Sequence, residues 1–97
     1  MAITAPFAHA TSTIGVANTP LVAIPNGIKS AKVKVHNNSG TATVYIGDST
    51  VTASGAAQGF PVLPNVTEEF TVAPNATLYA IASAAGTSVS VIWSALS

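Results

Sequence analysis

Five side chains in this chain could serve as an acid or a base near neutral pH: His9, His36, Asp48, Glu68 and Glu69. With so many Ser and Thr residues present, the chemistry to look for is a hydroxyl nucleophile activated by a histidine and oriented by a carboxylate. No Gly-x-Ser-x-Gly elbow mounts a serine for that purpose, and a hydroxyl without a positioned base is inert. Glu68 and Glu69 are adjacent, so on a strand they point to opposite faces and do not form a working carboxylate pair. His and carboxylate residues do not recur at metal-ligand spacing. Asp48, within Gly47-Asp48-Ser49, reads as a turn residue that bonds its own backbone. The sequence thus assigns no catalytic, cofactor-binding or metal residue and reads as that of a non-enzyme.

What remains is contact chemistry. Lys32, Lys34 and His36 alternate along one run and form a short basic stripe, suited either to an acidic partner surface or to a solvated face that discourages edge-to-edge pairing. Asn37-Asn38-Ser39, Asn65-Val66-Thr67 and Asn75-Ala76-Thr77 match the glycosylation triplet but read as turn chemistry. Aromatic residues are too scattered for a base-stacking platform. The chain has 3 Lys or Arg, 3 Asp or Glu and a formal net charge of zero, so neither nucleic acid nor an anionic membrane is an expected partner.

A charged share of 6% is far below that of an ordinary soluble domain, which points to surfaces meant to be covered by copies of the chain or by a larger partner. The absence of Cys removes disulfides and thiolate metal sites together. The first residues have no basic region followed by a continuous apolar run, and nothing approaches a membrane span, so the expectation is a protein assembled in a cytosol.

The elements that must position these groups are β-strands. Residues 1–19, rich in Ala and Thr and bounded by Pro20, read as an extended N-terminal arm whose Ile3, Phe7 and Ile14 could pack on another subunit. Residues 20–97 read as one β-sandwich domain, because short β-type runs recur between Pro, Gly and Asn punctuation. The alternation of Ala31, Val33 and Val35 with Lys32, Lys34 and His36 gives the clearest strand. Asn37 to Gly40 reads as a left-handed turn leading directly into a hairpin whose return strand is Thr41 to Ile46. Thr50 to Ala53 reads as the start of another strand. Phe60 to Leu63, with Pro61, reads as an edge, and Thr67 to Val72, Leu78 to Ala82 and Ser88 to Ala95 complete the set. The fold class is all-β: a single antiparallel β-sandwich or jelly-roll-like barrel.

Four stretches carry a family resemblance: Val33-Lys34-Val35-His36-Asn37-Asn38-Ser39-Gly40; Val44-Tyr45-Ile46-Gly47-Asp48-Ser49-Thr50-Val51-Thr52; Leu78-Tyr79-Ala80-Ile81-Ala82; and Val89-Ser90-Val91-Ile92-Trp93. Over roughly two thirds of its length the chain resembles small virion proteins of tailed bacteriophages. Val62-Leu63-Pro64-Asn65 departs from that pattern by placing Asn where Pro-Gly is common. The resemblance implies a stand-alone capsid decoration (cement) protein on the outside of a phage head, partnered by the major capsid protein and by itself as a homotrimer. The alternative it implies is a head-fibre or tail-associated module that binds host glycan. The partner-interface residues expected on this reading are Ile3, Phe7 and Ile14 in the arm and Lys32, Lys34 and His36 on the exposed strand.

Overall fold

The computed structural model describes residues 7–24, 30–73 and 75–96. Among them are eight strands and no helix: β1 (Phe7–Ile14), β2 (Thr19–Ala23), β3 (Ser30–Asn37), β4 (Val44–Gly47), β5 (Phe60–Val62), β6 (Thr67–Val72), β7 (Thr77–Ala82) and β8 (Thr87–Leu96). They form two four-stranded antiparallel sheets, sheet A in the order β1-β8-β3-β6 and sheet B in the order β2-β7-β4-β5.

The pairings β1·β8, β2·β7, β3·β6 and β4·β5 are those of one long hairpin folded at its middle. Rolling that hairpin on itself adds β3·β8 and β4·β7. This is the jelly roll, and it settles the choice between a sandwich and a closed barrel. The roll places β1 against β7 and β3 against β5 across the interior.

The interior is filled by the inward set of each strand. Ala31, Val33 and Val35 of β3, Val44 and Ile46 of β4, Val62 of β5, Ala80 and Ala82 of β7, and Val89 and Val91 of β8 are all buried. Branched side chains suit a pleated, half-covered surface, and their small size keeps the two layers close. Phe60 and Phe70 meet edge to face, with centroids 5.6 Å apart, where the β5 and β6 edges come together.

Several expectations change. Over Phe7–Ile14 the segment read as an arm is strand β1, bonded to β8 in continuous register. Ile14 is fully buried in the chain's own core, so it is not available to a partner. Ile3 lies outside the described residues, as does the side chain of Phe7. Thr50 to Ala53 is not a strand; Thr52 makes only an isolated bridge with Gln58. The expected hairpin after β3 is instead an arch, because β3 and β4 lie in different sheets.

Asn37 explains the arch. Its carboxamide is fully buried. It donates from Nδ2 to the carbonyls of Ala42 (2.8 Å) and Val62 (3.0 Å), and its Oδ1 accepts from the Ser39 amide at 2.9 Å. The side chain therefore holds the end of β3 to the crossover and to β5 of the other sheet. Burial excludes it as a glycosylation site, and its backbone is not left-handed. Among the described residues the left-handed asparagines are Asn65 (φ 60°) and Asn75 (φ 66°). Asn65 follows Pro64 in a turn closed by the Val66 amide donating to the Leu63 carbonyl at 3.1 Å. Replacing Asn37 with Ala strands two carbonyls and an amide in the interior and is expected to cost about 3 kcal/mol in urea denaturation. A loss below about 1 kcal/mol would contradict the role assigned to it.

Candidate functional site

Sheet A presents one outward face built from alternate residues of its four strands. The register aligns His9 (β1), Ile92 (β8), Lys34 (β3) and Glu69 (β6) in a single row across it. The next row holds Thr11, Ser90, His36 and Thr67, and on the other side Ser94, Lys32 and Thr71 stand together. Two shallow grooves run over this face, the larger about 390 Å³ and the second lined by Lys32, Lys34, Ile92, Trp93 and Ser94.

The three basic residues singled out in the sequence, Lys32, Lys34 and His36, do share this face. β3 is an inner strand, flanked by β8 and β6, so its lysines are not there to guard an open edge. Lys32 reaches diagonally to Glu69, with Nζ to Oε2 at 3.3 Å. Both side chains are about half exposed, which limits the pair to under about 1 kcal/mol. Glu69 is thereby turned from its direct neighbour. Among the described residues Lys34 has no carboxylate within ion-pair distance, and it stands beside Ile92, an exposed apolar side chain at the centre of the sheet.

His36 Nδ1 and Thr67 Oγ1 are 2.8 Å apart, the one histidine-hydroxyl contact among the described residues. It lies on an open sheet surface where backbone amides are engaged in strand pairing, and among the described residues the ring makes no hydrogen bond to a carboxylate. The arrangement fixes the imidazole in place. Glu68 and Glu69 point to opposite faces, as their adjacency requires, with Glu69 the exposed one. Among the described residues no three His or carboxylate side chains gather as a metal site.

Ile92 was not singled out in the sequence, and His9 was considered as a possible base but not as a member of this face. The signal for Ile92 was present: Ser88, Ser90 and Ser94 form the outward series of β8, and Ile92 interrupts it with an apolar residue. His9 needed the β1·β8 pairing, which joins strands from opposite ends of the chain and leaves no trace in local periodicity.

A second concavity lies in the connection from β4 to β5, between Asp48 and Gly59. Asp48 Oδ1 accepts from the Thr50 hydroxyl at 2.6 Å and the Thr50 amide at 2.9 Å, the self-bonded turn expected from the sequence. Buried Val51 packs so tightly that a Cβ on Gly59 would meet its Cγ2 at 2.5 Å and the Ile46 carbonyl oxygen at 2.6 Å. Glycine is required there by space. The loop is thus an ordered closure of the hairpin, and the outward face of sheet A is the better candidate for contact with a partner.

No protein-family model matches the chain, and no curated protein matches it. Among solved structures it is similar to a chain from a study of Bacillus endospore appendages, described as a novel family of disulfide-linked pili, with a TM-score of 0.59 and 16% identity. The match covers 97% of this chain and 88% of that one. The likeness is one of fold. It extends over nearly the whole β-sandwich, so this build is shared with a small domain found in an appendage.

The Thr50 hydroxyl, followed by its amide, holds the Asp48 carboxyl below the usual carboxylate range. A depressed carboxylate contributes stability that is present above its unfolded-state pKa and is lost as pH falls through the folded value. Thr50→Val removes the hydroxyl donor, so the Asp48 carboxyl followed by NMR titration is expected to move up toward the usual range. An unchanged titration would contradict the assigned cause.

Proposed function

We propose that this protein is a non-enzymatic structural subunit, and more specifically a decoration protein that lies on the outside of a bacteriophage head and stabilises the major capsid lattice. The observation that carries the reading is Lys34 beside Ile92 on the inner strands of the sheet A face. In this cationic, partly apolar spot Lys34, although its cross-strand neighbour is Glu69, makes no ion pair among the described residues, because that carboxylate is engaged with Lys32. Such a spot is complementary to an acidic, partly apolar patch on a partner.

Binding would act by mass action: a subunit that binds the assembled lattice and not its dissociated parts stabilises the lattice by its free energy of binding. No chemistry is required of it, consistent with the few titratable groups and their placement on open surface. The phage setting rests on the sequence resemblance, and the structural role is supported by the shared fold with an appendage protein. That neighbour is described as belonging to disulfide-linked pili, whereas this chain has no Cys, so any assembly it enters is not linked by disulfides from its own side chains.

A second reading has its own observation. Tyr45 and Tyr79 occupy the outward positions of sheet B, where Tyr45 pairs with Ile81 and Pro61, and Tyr79 with Pro20 and Gly47. This uncharged aromatic face suits a glycan-binding module.

Co-sedimentation with decoration-free expanded heads separates the two. The wild-type chain is expected to pellet saturably, binding is expected to weaken as salt rises, and Lys34→Glu should reduce affinity by about tenfold or more. A chain that stays in the supernatant at micromolar concentration overturns the decoration reading. Glycan binding lost on Tyr79→Ala would then favour the second.

A further inference from the structure

The two sheets leave four strands at open edges: β1 and β6 in sheet A, β2 and β5 in sheet B. An edge presents a row of unpaired backbone N–H and C=O groups, and soluble proteins blunt such rows with charge, proline, bulges or short length. Three of the four edges carry such a device. β6 presents Glu68 and Glu69 in succession. β5 is three residues long with Pro61 at its centre. β2 contains Pro20 and a register shift between Pro20 and Val22.

β1 carries none of them. Its eight residues, Phe-Ala-His-Ala-Thr-Ser-Thr-Ile, include no proline and no Lys, Arg, Asp or Glu. They pair with β8 in one unbroken register from Phe7 opposite Ser94 to Ile14 opposite Thr87, so no bulge bends the strand away. Among the described residues no other segment bonds its outer side. Long, unbulged and free of Lys, Arg, Asp and Glu, it is an open template for one more strand.

We infer that the β1 edge is a self-association site: two copies of the chain join β1 to β1, antiparallel about a twofold axis, and merge their two A sheets into one. The sequence of β1 fits a copy of itself. To keep both outward faces on the same side, the axis must pass through a residue, and the two central choices are Ala10 and Thr11. With the axis at Ala10, His9 lies opposite Thr11 and Ala8 opposite Ser12. With the axis at Thr11, His9 lies opposite Thr13 and Ala10 opposite Ser12. Neither register sets charge against like charge, and exposed Thr side chains are favourable cross-strand neighbours. The same operation on β6 would bring glutamates of the two copies together. Antiparallel pairing of identical strands defines a twofold, so this edge produces a dimer, where the family resemblance implied a trimer. The inference is independent of the decoration reading, since it uses the backbone of an edge and not the side chains of the face.

The test is sedimentation velocity on the full chain from micromolar to millimolar concentration, with Thr11→Lys and Thr11→Glu alongside. Thr11 is exposed, and both registers bring the two copies of residue 11 opposite or diagonal to each other. The wild-type chain is expected to form a dimer, and each variant alone should dissociate about tenfold more readily. An equimolar mixture of the two should re-form a dimer through Lys opposite Glu. Amide exchange on the unmodified chain, which needs no variant to fold, should show concentration-dependent protection in β1 and none in β6. A wild-type monomer at millimolar concentration, an open-ended polymer, a dimer indifferent to both variants, or a mixture that stays monomeric overturns the inference.

Discussion

The carboxamide of Asn37 holds together parts of the jelly roll that strand pairing alone leaves apart. It is fully buried at the end of β3, and its two donors and its oxygen are all engaged. The backbone around it is tied as well: its amide donates to the Val66 carbonyl and its carbonyl accepts from the Asn65 amide. One residue thus joins the β3 terminus, the arch into sheet B, strand β5 and the turn before β6. A polar group in a dry interior is costly unless every partner is present, so this position discriminates sharply between the native crossover and a simple hairpin after β3.

From that constraint the rest of the architecture follows. Because the chain leaves sheet A at Asn37, β3 is free to take β8 on one side and β6 on the other, which makes it an inner strand. Its outward Lys32, Lys34 and His36 then stand in the middle of the sheet instead of at a rim. The thin aliphatic core holds the layers together with few large side chains, and charge is so scarce that a single ion pair shapes the face: Glu69 pairs with Lys32, leaving Lys34 beside Ile92. Faces and edges serve different ends in this molecule. In the proposed role the A face is the one that meets a partner, whereas among the described strands three edges are blunted and one is open.

Much of this was legible in the sequence where period-two alternation reports it. The inward and outward sets of β3 match the expected ones, β6 and β7 fall on the expected runs to within a residue, and Phe60-Pro61-Val62 is an edge strand as its proline requires. What alternation does not encode is which strand lies beside which. Asn37-Asn38-Ser39-Gly40 has the composition of a hairpin turn, and only the burial of its first side chain turns it into an arch. The arm reading failed over Phe7–Ile14 for a related reason. Ala, Ser and Thr give little amphipathic contrast, and the partner of β1 lies at the far end of the chain. Of the six expected interface residues, the three on β3 share one exposed face, while Ile14 belongs to the core.

The most direct measurement is an electron cryomicroscopy reconstruction of expanded phage heads saturated with the chain. The account predicts jelly-roll density on the outer shell with the face bearing Lys34 and Ile92 turned toward the lattice and the tyrosine-bearing face of sheet B turned to solvent. Density with sheet B against the shell, or heads that remain bare, would contradict it.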